Sequence, residues 1–162
     1  MNKQNIIEKL SLVKHIEGGY FKETYRSDLT VNTDREGGER KLLTSIYYLL
    51  TDDHPINHFH KNESDVIHYF HIGSPITYLI VDPQGKLSKF KLGFDVAKGH
   101  TPQLLVPKDC WKAAILEEGE FGLLGESVAP GFEYQDMEIA KPDSFKASFP
   151  NLWDELSPYI KQ

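Results

Sequence analysis

The sequence has one cysteine, no long apolar run and no excess of positive charge. Cys110 alone cannot form a disulfide within the chain, and so little cysteine suits a reducing compartment. No apolar stretch approaches the ~20 residues of a membrane-spanning helix, and the first ten residues lack the apolar segment of a secretion signal. The formal net charge of −6 argues against general binding to nucleic acid or to an anionic membrane. We therefore expect a cytoplasmic protein without nucleic-acid or membrane partners.

What is present is the composition of a folded domain. The chain has 162 residues, of which 40% are hydrophobic and 12% aromatic. That is enough to build a core without disulfides or a structural metal. No repeat, low-complexity segment or long linker divides the chain. The sequence therefore predicts a single domain over residues 1–162.

Strand-forming segments dominate the middle of the chain. Short stretches rich in aromatic and β-branched residues end at Gly, Pro or Asp, and no helix-length segments alternate with them. The ends differ: residues 1–10 predict a short amphipathic helix with Asn5 and Glu8 as its capping box, and helix-compatible composition returns at Asp143. The pattern predicts a mostly β sandwich or barrel with short terminal helices. The predicted strands are 20–26, 42–50, 66–72, 76–81, 87–92, 104–106, 113–116 and 121–128.

Five of the seven histidines lie between residues 54 and 71. Side chains at i and i+2 of a strand point to the same face of the sheet. His58 and His60 are therefore predicted to project together, while Phe59 points the other way. Two converging imidazoles can begin a metal site, serve a metal-free pocket or be structural. The spacing leaves these three interpretations open.

Other side chains are candidates for lining a pocket. His68 shares a strand face with Phe70, and a lone histidine in an apolar row is more often satisfied by a hydrogen bond than catalytic. Glu23 could orient a polar ligand or move a proton if it faces inward, but it would serve an interface if it faces outward. Trp111 is expected at the mouth or wall of a barrel. Cys110 is expected to be a small buried apolar residue.

An ordered set of segments resembles a family of small bacterial and fungal cupins of unknown function, within the RmlC-like cupin superfamily. The resemblance implies a double-stranded β-helix, or jelly-roll barrel, that is usually homodimeric and encloses a cavity of small-molecule size. It brings no established reaction with it. The segments are GGYFKETYRS (18–27), TSIYYLL (44–50), HFHKNESDVIHYFHIGSP (58–75), VDPQGK (81–86), PQLLVPKDCW (102–111) and SVAPGFEYQDME (127–138).

The superfamily's first metal-binding motif is only partly matched. His58 and His60 match its histidine pair, and Gly73 matches its closing glycine. Counting back from Gly73 places Val66, which cannot bind a metal, at the glutamate position. Counting forward from His60 allows Asp65, or less well Glu63, at that position.

The second motif is also altered, since Lys112 falls where the family pattern has its last histidine ligand. An ammonium group repels a divalent cation unless its pKa is strongly lowered. The resemblance therefore implies that two of the four metal ligands are missing, although His68 could replace the carboxylate. We expect no cofactor, with a divalent metal on His58 and His60 as the alternative.

The leading functional hypothesis is a barrel that binds a small polar metabolite and catalyses a metal-independent isomerisation or epimerisation. An imidazole with a near-neutral pKa can remove a proton α to a carbonyl, so His58 or His60 would be the base, and the Tyr47 phenol could return the proton. The alternatives are a metal-dependent oxygenase or isomerase and a non-catalytic binding or sensing protein. The predicted pocket residues are His68, Phe70, Trp111, Lys112 and Glu23.

Overall fold

Two antiparallel β-sheets form the body of the molecule, which is described by a computed structural model of residues 2–161. The strands are β1 Val13–Lys14, β2 Tyr20–Arg26, β3 Thr30–Asn32, β4 Glu39–Lys41, β5 Thr44–Thr51, β6 Ile56–Asn62, β7 Asp65–Gly73, β8 Ile76–Val81, β9 Leu87–Leu92, β10 Gln103–Val106, β11 Trp111–Ile115, β12 Phe121–Ala129 and β13 Met137–Ile139. The helices are α1 Lys3–Leu10, α2 Pro142–Ser148 and α3 Trp153–Leu156, with single 3-10 turns at Val96–Lys98, Tyr134–Asp136, Pro150–Leu152 and Ser157–Tyr159.

The strand order is that of a jelly roll rather than a meander. One sheet has the order β1-β2-β5-β12-β7-β10, the other has the order β13-β6-β11-β8-β9, and β3 pairs with β4 in a separate hairpin. The mostly β fold with short terminal helices is therefore confirmed, and every predicted strand segment overlaps an observed strand. The predicted capping box is wrong: Asn2 caps α1, and its side-chain oxygen accepts a hydrogen bond of 2.9 Å from the Asn5 amide.

The main core lies between the two sheets, because inward-facing residues alternate with outward-facing ones along each strand. Tyr48, Leu50 and Leu124 of the first sheet meet Tyr78 and Ile80 of the second. Burying each large side chain contributes about 1.5–3 kcal/mol to folding. The same alternation places polar residues of these strands inside the barrel, where they form the candidate site.

Two smaller clusters cover the outer faces of the sheets. Phe145 of α2 and Leu156 of α3 pack on Phe59 of the second sheet. Ile6 of α1 packs on Leu49 and Leu123 of the first sheet. Cys110 is buried in the main core, as expected. None of the helices in residues 2–161 is long and apolar enough to cross a membrane.

Candidate functional site

A narrow cleft enters the barrel at the end where β5 and β7 begin and β6 and β12 end. Its volume is about 470 Å³ when the open mouth is included, and about 40 Å³ of this can hold the centres of water molecules. That is room for about three water molecules. The wall residues are His15, Glu17, Phe21, Thr44, Ile46, Tyr48, His60, Asn62, Val66, Lys112, Glu126, Val128 and Phe132.

A β-bulge in β6 places His60 in this cleft. Lys112 pairs with His60 and Ala114 pairs with Asn57, so β6 takes three steps where β11 takes two. Asn57 and His60 therefore both face inward, while Phe59 between them packs outward against Phe145 at a ring distance of 5.2 Å.

The predicted common face of His58 and His60 is wrong, because the bulge breaks the alternation on which it rested. The His58 ring is half-buried outside the cleft wall, with Nδ1 2.8 Å from the Glu17 carbonyl oxygen. The same carbonyl accepts a hydrogen bond from the His58 amide at 2.8 Å. His58 thus holds the loop that carries Glu17 and does not converge with His60.

Glu17 enters the site from the loop between β1 and β2. The loop turns sharply at Gly18, whose φ of +113° is unfavourable for residues with a Cβ. The Tyr48 hydroxyl donates to the Gly18 carbonyl oxygen. These contacts bring Glu17 Oε2 to 3.3 Å from Asn57 Nδ2, 3.3 Å from His60 Nε2 and 3.5 Å from His15 Nδ1.

The Glu17 carboxyl is protonated at neutral pH. It is only 5% exposed, and its burial raises its pKa to about 8 against the opposing influence of the Lys112 charge. A carboxyl in this state is a proton donor at pH 7. Neighbouring His15 is held neutral, since burial and the Lys112 charge lower its pKa to about 4.

His60 is in the complementary state. Its Nδ1 lies 2.8 Å from the His58 carbonyl oxygen, which can only accept, so the partner assigns the ring proton to Nδ1. Nε2 then presents its lone pair toward Glu17. Burial and the Lys112 charge hold the pKa of His60 well below its usual value. A neutral imidazole and a protonated carboxyl therefore face each other inside the barrel.

The floor of the cleft is a second polar group. Lys112 Nζ donates to His68 Nε2 at 3.2 Å, and His68 Nδ1 lies 3.4 Å from the Leu104 carbonyl oxygen. Glu126 Oε1 is 3.6 Å from His68 Nε2, and burial raises the pKa of Glu126. The ring of Tyr78 packs edge-on against His68 with centroids 4.9 Å apart.

The structure brings some of the predicted pocket residues together. His60 and Lys112 line the cleft, and His68 lies at its floor. Phe70 faces inward as predicted but belongs to the apolar core, where its ring packs against Phe94 at 5.1 Å. Its predicted place in the pocket is wrong because it lies further along β7, away from the mouth.

Three other predicted site residues lie outside the cleft. Strand alternation turns Tyr48 inward, so Tyr47 faces outward and packs edge-on against His71. Glu23 is surface-exposed and paired with Arg26 at 2.8 Å. Trp111 packs on the outer cluster beside Phe145. Each of these placements corrects the prediction for its residue.

Sequence reasoning missed both buried carboxyl groups. Glu126 could have been found, since it interrupts the inward apolar row of Leu124 and Val128 on β12. Glu17 gives no periodic signal because it lies in a loop, and only its place before two glycines marks it. His15 is likewise a loop residue that folding brings to the cleft.

The residues of this site do not fit a divalent metal. The Lys112 ammonium is hydrogen-bonded to His68, Val66 presents only hydrocarbon, and His58 is turned away from His60. The positive charge of Lys112, among the side chains that would have to bind the metal, repels a metal cation. Over residues 2–161, no group of three or more His, Cys, Asp or Glu side chains is arranged to hold a metal ion.

Two antiparallel sheets in this strand order form the jelly-roll barrel of a cupin. Residues 4–140 match the family described as Cupin superfamily (DUF985), and the chain belongs to that family.

The most informative relatives carry no assigned activity. The uncharacterized protein YML079W of Saccharomyces cerevisiae is 42% identical over 151 residues, which cover 85% of this chain and 75% of the yeast protein. Protein SO0799 from Shewanella oneidensis has a TM-score of 0.91 at 33% identity, covering 99% of this chain and 98% of that one. A hypothetical protein from Leishmania major has a TM-score of 0.93 at 27% identity, with both chains fully covered.

More distant cupins share the fold alone. Oxalate decarboxylase from Bacillus subtilis has a TM-score of 0.54 at 20% identity, and the match covers 90% of this chain but 36% of the enzyme.

Proposed function

We propose that this protein binds a small polar carbonyl compound in its barrel and isomerises it by metal-independent proton transfer. The observation that carries the proposal is the His60–Glu17 pair, with Nε2 and Oε2 3.3 Å apart. Burial sets the two pKa values in opposite directions, so base and acid coexist at neutral pH.

The reaction uses three groups of the cleft. His60 Nε2 removes a proton from the carbon next to the substrate carbonyl. The electron pair of the broken C–H bond moves to the carbonyl oxygen, and the Lys112 cation stabilises the negative charge that develops there. In an α-hydroxy carbonyl substrate the hydroxyl proton moves to this oxygen, and Glu17 gives its proton to the former carbonyl carbon, on the same face from which His60 took the first proton. Glu17 then recovers a proton from His60.

The remaining polar residues position these groups. Asn57 donates to Glu17, and the His58 carbonyl fixes the tautomer of His60. Because the cleft admits few water molecules, the charges act in a medium of low polarity, where each is worth more than in water.

Hydrogen–deuterium exchange tests this proposal without knowledge of the natural substrate. Small aldoses, ketoses and 2-oxo acids are incubated with the protein in D₂O, and loss of the α-proton signal is followed by NMR. We expect exchange for at least one compound, reduced about 100-fold or more in His60→Asn because the base is lost.

His71→Asn is the matched control, since His71 lies outside the cleft beside Tyr47. Its exchange rate should equal that of the unmodified protein. Equal rates in His60→Asn would overturn the assignment of His60. Binding without exchange across the whole panel would instead favour a non-catalytic binding protein.

A further inference from the structure

Lys112 is an unusual residue to find at the floor of this cleft. It is 3% exposed and lies on β11, the middle strand of its sheet. Its hydrogen-bond partner is a neutral imidazole nitrogen, His68 Nε2, and not a carboxylate. A buried ammonium without a close ion pair is costly to maintain, and a lysine used only to fill the core would be better replaced by methionine or leucine.

The surroundings of Lys112 suit an amine that reacts. Its nitrogen reaches the cleft, beside two buried carboxyl groups, Glu17 and Glu126, that can take up or give a proton during a reaction. Lysines in sites of this kind serve as nucleophiles toward carbonyl carbons.

We propose that Lys112 captures the carbonyl carbon of a small aldehyde or ketone as an iminium ion. This inference rests on the proposed function and deepens it, because an iminium acidifies the neighbouring C–H bond more than a hydrogen-bonded carbonyl does. His60 then removes the proton from a substrate held covalently. The substrate class is a short-chain aldehyde or ketone whose carbonyl can reach the cleft floor.

The step balances without an oxidant or a reductant. The Lys112 ammonium gives one proton to the Glu126 carboxylate, and the freed electron pair forms the C–N bond. The carbonyl oxygen takes a proton from Glu17, and the Glu17 carboxylate then takes one proton from the positively charged nitrogen, which leaves a neutral carbinolamine with a lone pair on nitrogen. The C–O bond then breaks as the nitrogen lone pair forms the C=N bond, and the hydroxyl leaves as water with the proton held by Glu126. The last nitrogen proton stays on the iminium ion.

Reductive trapping tests the assignment on the unmodified protein. The protein is incubated with hydroxyacetone, or separately with pyruvate, in the presence of sodium cyanoborohydride, which reduces iminium ions to stable amines. The adducts are counted by intact mass and located by peptide mapping. We expect a saturable single adduct on Lys112, formed about tenfold faster than adducts on exposed Lys108, because the cleft holds the carbonyl beside the Lys112 nitrogen.

Two variants sharpen the result. Lys112→Arg keeps the charge but cannot form an imine, so the dominant adduct should disappear while circular dichroism stays that of the folded protein. Lys108→Arg should leave the adduct on Lys112 unchanged. Adducts spread over exposed lysines with Lys112 unmodified in the folded, unmodified protein would overturn the inference, whatever the variants do.

The trapping result is independent of the exchange experiment. An adduct on Lys112 without α-proton exchange would support Lys112 as the nucleophile and reject the proposed isomerase activity. Exchange without an adduct would retain the isomerase and leave Lys112 as a purely electrostatic group, which rejects the inference.

Discussion

Glu17 shows how far burial can move a single ionisable group from its ordinary behaviour. His15, His60 and Asn57 face the carboxyl directly, and the charges of Lys112 and Glu126 act on it from the cleft floor. Burial outweighs the favourable Lys112 charge, and the pKa rises from 4.5 to about 8. The folded protein therefore keeps a proton that the unfolded chain releases.

This proton makes stability fall as pH rises from about 4.5 to about 8, because the folded state then binds more protons than the unfolded state. Glu17→Gln has no such proton. We expect the free energy of unfolding of the variant, minus that of the unmodified protein, to increase by roughly 2–4 kcal/mol between pH 5 and pH 8. Urea denaturation at a series of pH values measures it.

Glu118→Gln, a change at an exposed carboxylate, is the control and should give a pH-independent difference. If Glu17→Gln also gives a constant difference, Glu17 ionises near its ordinary pKa and cannot be the proton donor of the cleft.

At the level of single residues, the sequence predicted the inward side chains of regular strands better than those of loops. Alternation along β7 places His68 on one face with Phe70, and the structure shows that this face is the inner one. His58 could not be placed in this way, since a bulge depends on how β6 pairs with β11, a partner more than 50 residues away. Glu17 and His15 reach the cleft through a loop, whose path no local periodicity encodes.

Among the structural elements, the turn between β1 and β2 is the one that the site depends on most. Gly18 adopts φ +113°, and a Cβ there would collide with the Ile56 carbonyl oxygen. Gly18→Ala is therefore expected to lower the free energy of unfolding by about 3 kcal/mol or more. An alanine is strained at this φ, and the neighbouring backbone must also move to make room for its Cβ. Urea denaturation measures this loss of stability, and we expect the m-value to stay unchanged.

Gly99→Ala provides the comparison. Gly99 also has a positive φ, +81°, but a Cβ there meets nothing within 4 Å. Its cost should stay near 1 kcal/mol, the price of the backbone conformation alone. Similar losses at both glycines would mean that the turn carrying Glu17 relaxes easily and does not fix the site.

The strands themselves were predictable because their signals are local. Two-residue alternation and turn residues such as Asp82-Pro83-Gln84-Gly85 mark each strand without reference to its partners. The pairing order was not local, and it followed from the ordered resemblance to cupins. Very short strands such as β1 and β13 were not predicted, because two or three residues are too few to show an alternating pattern.

For the whole molecule, the resemblance implies a homodimer, and one surface suits it. On the outer face of the first sheet, Leu105 of β10 pairs with Ile67 of β7, beside Tyr69, and Leu105 is 52% exposed. α1 covers only the other part of this face, over Leu49 and Leu123. We propose that a second copy of the chain covers Ile67, Tyr69 and Leu105.

Light scattering coupled to size-exclusion chromatography should therefore give the mass of two chains. Leu105→Glu should shift the protein toward one chain, because a charge buried without a partner opposes association. Leu29→Glu, at another exposed leucine, should not. A dimer that withstands Leu105→Glu would place the interface elsewhere.

The central position of β11 in its sheet decides how a ligand can reach Lys112. Residue 112 pairs with His60 on one side and Ile80 on the other, so neighbouring strands hold the floor of the cleft on both sides. At the entrance, Tyr134 stacks on His15 and meets Phe132 edge-on. We expect these rings to rotate aside when a ligand enters, on a scale of nanoseconds to microseconds. We therefore expect the rate of ligand entry to fall as solvent viscosity rises, because the movement of these aromatic rings limits it.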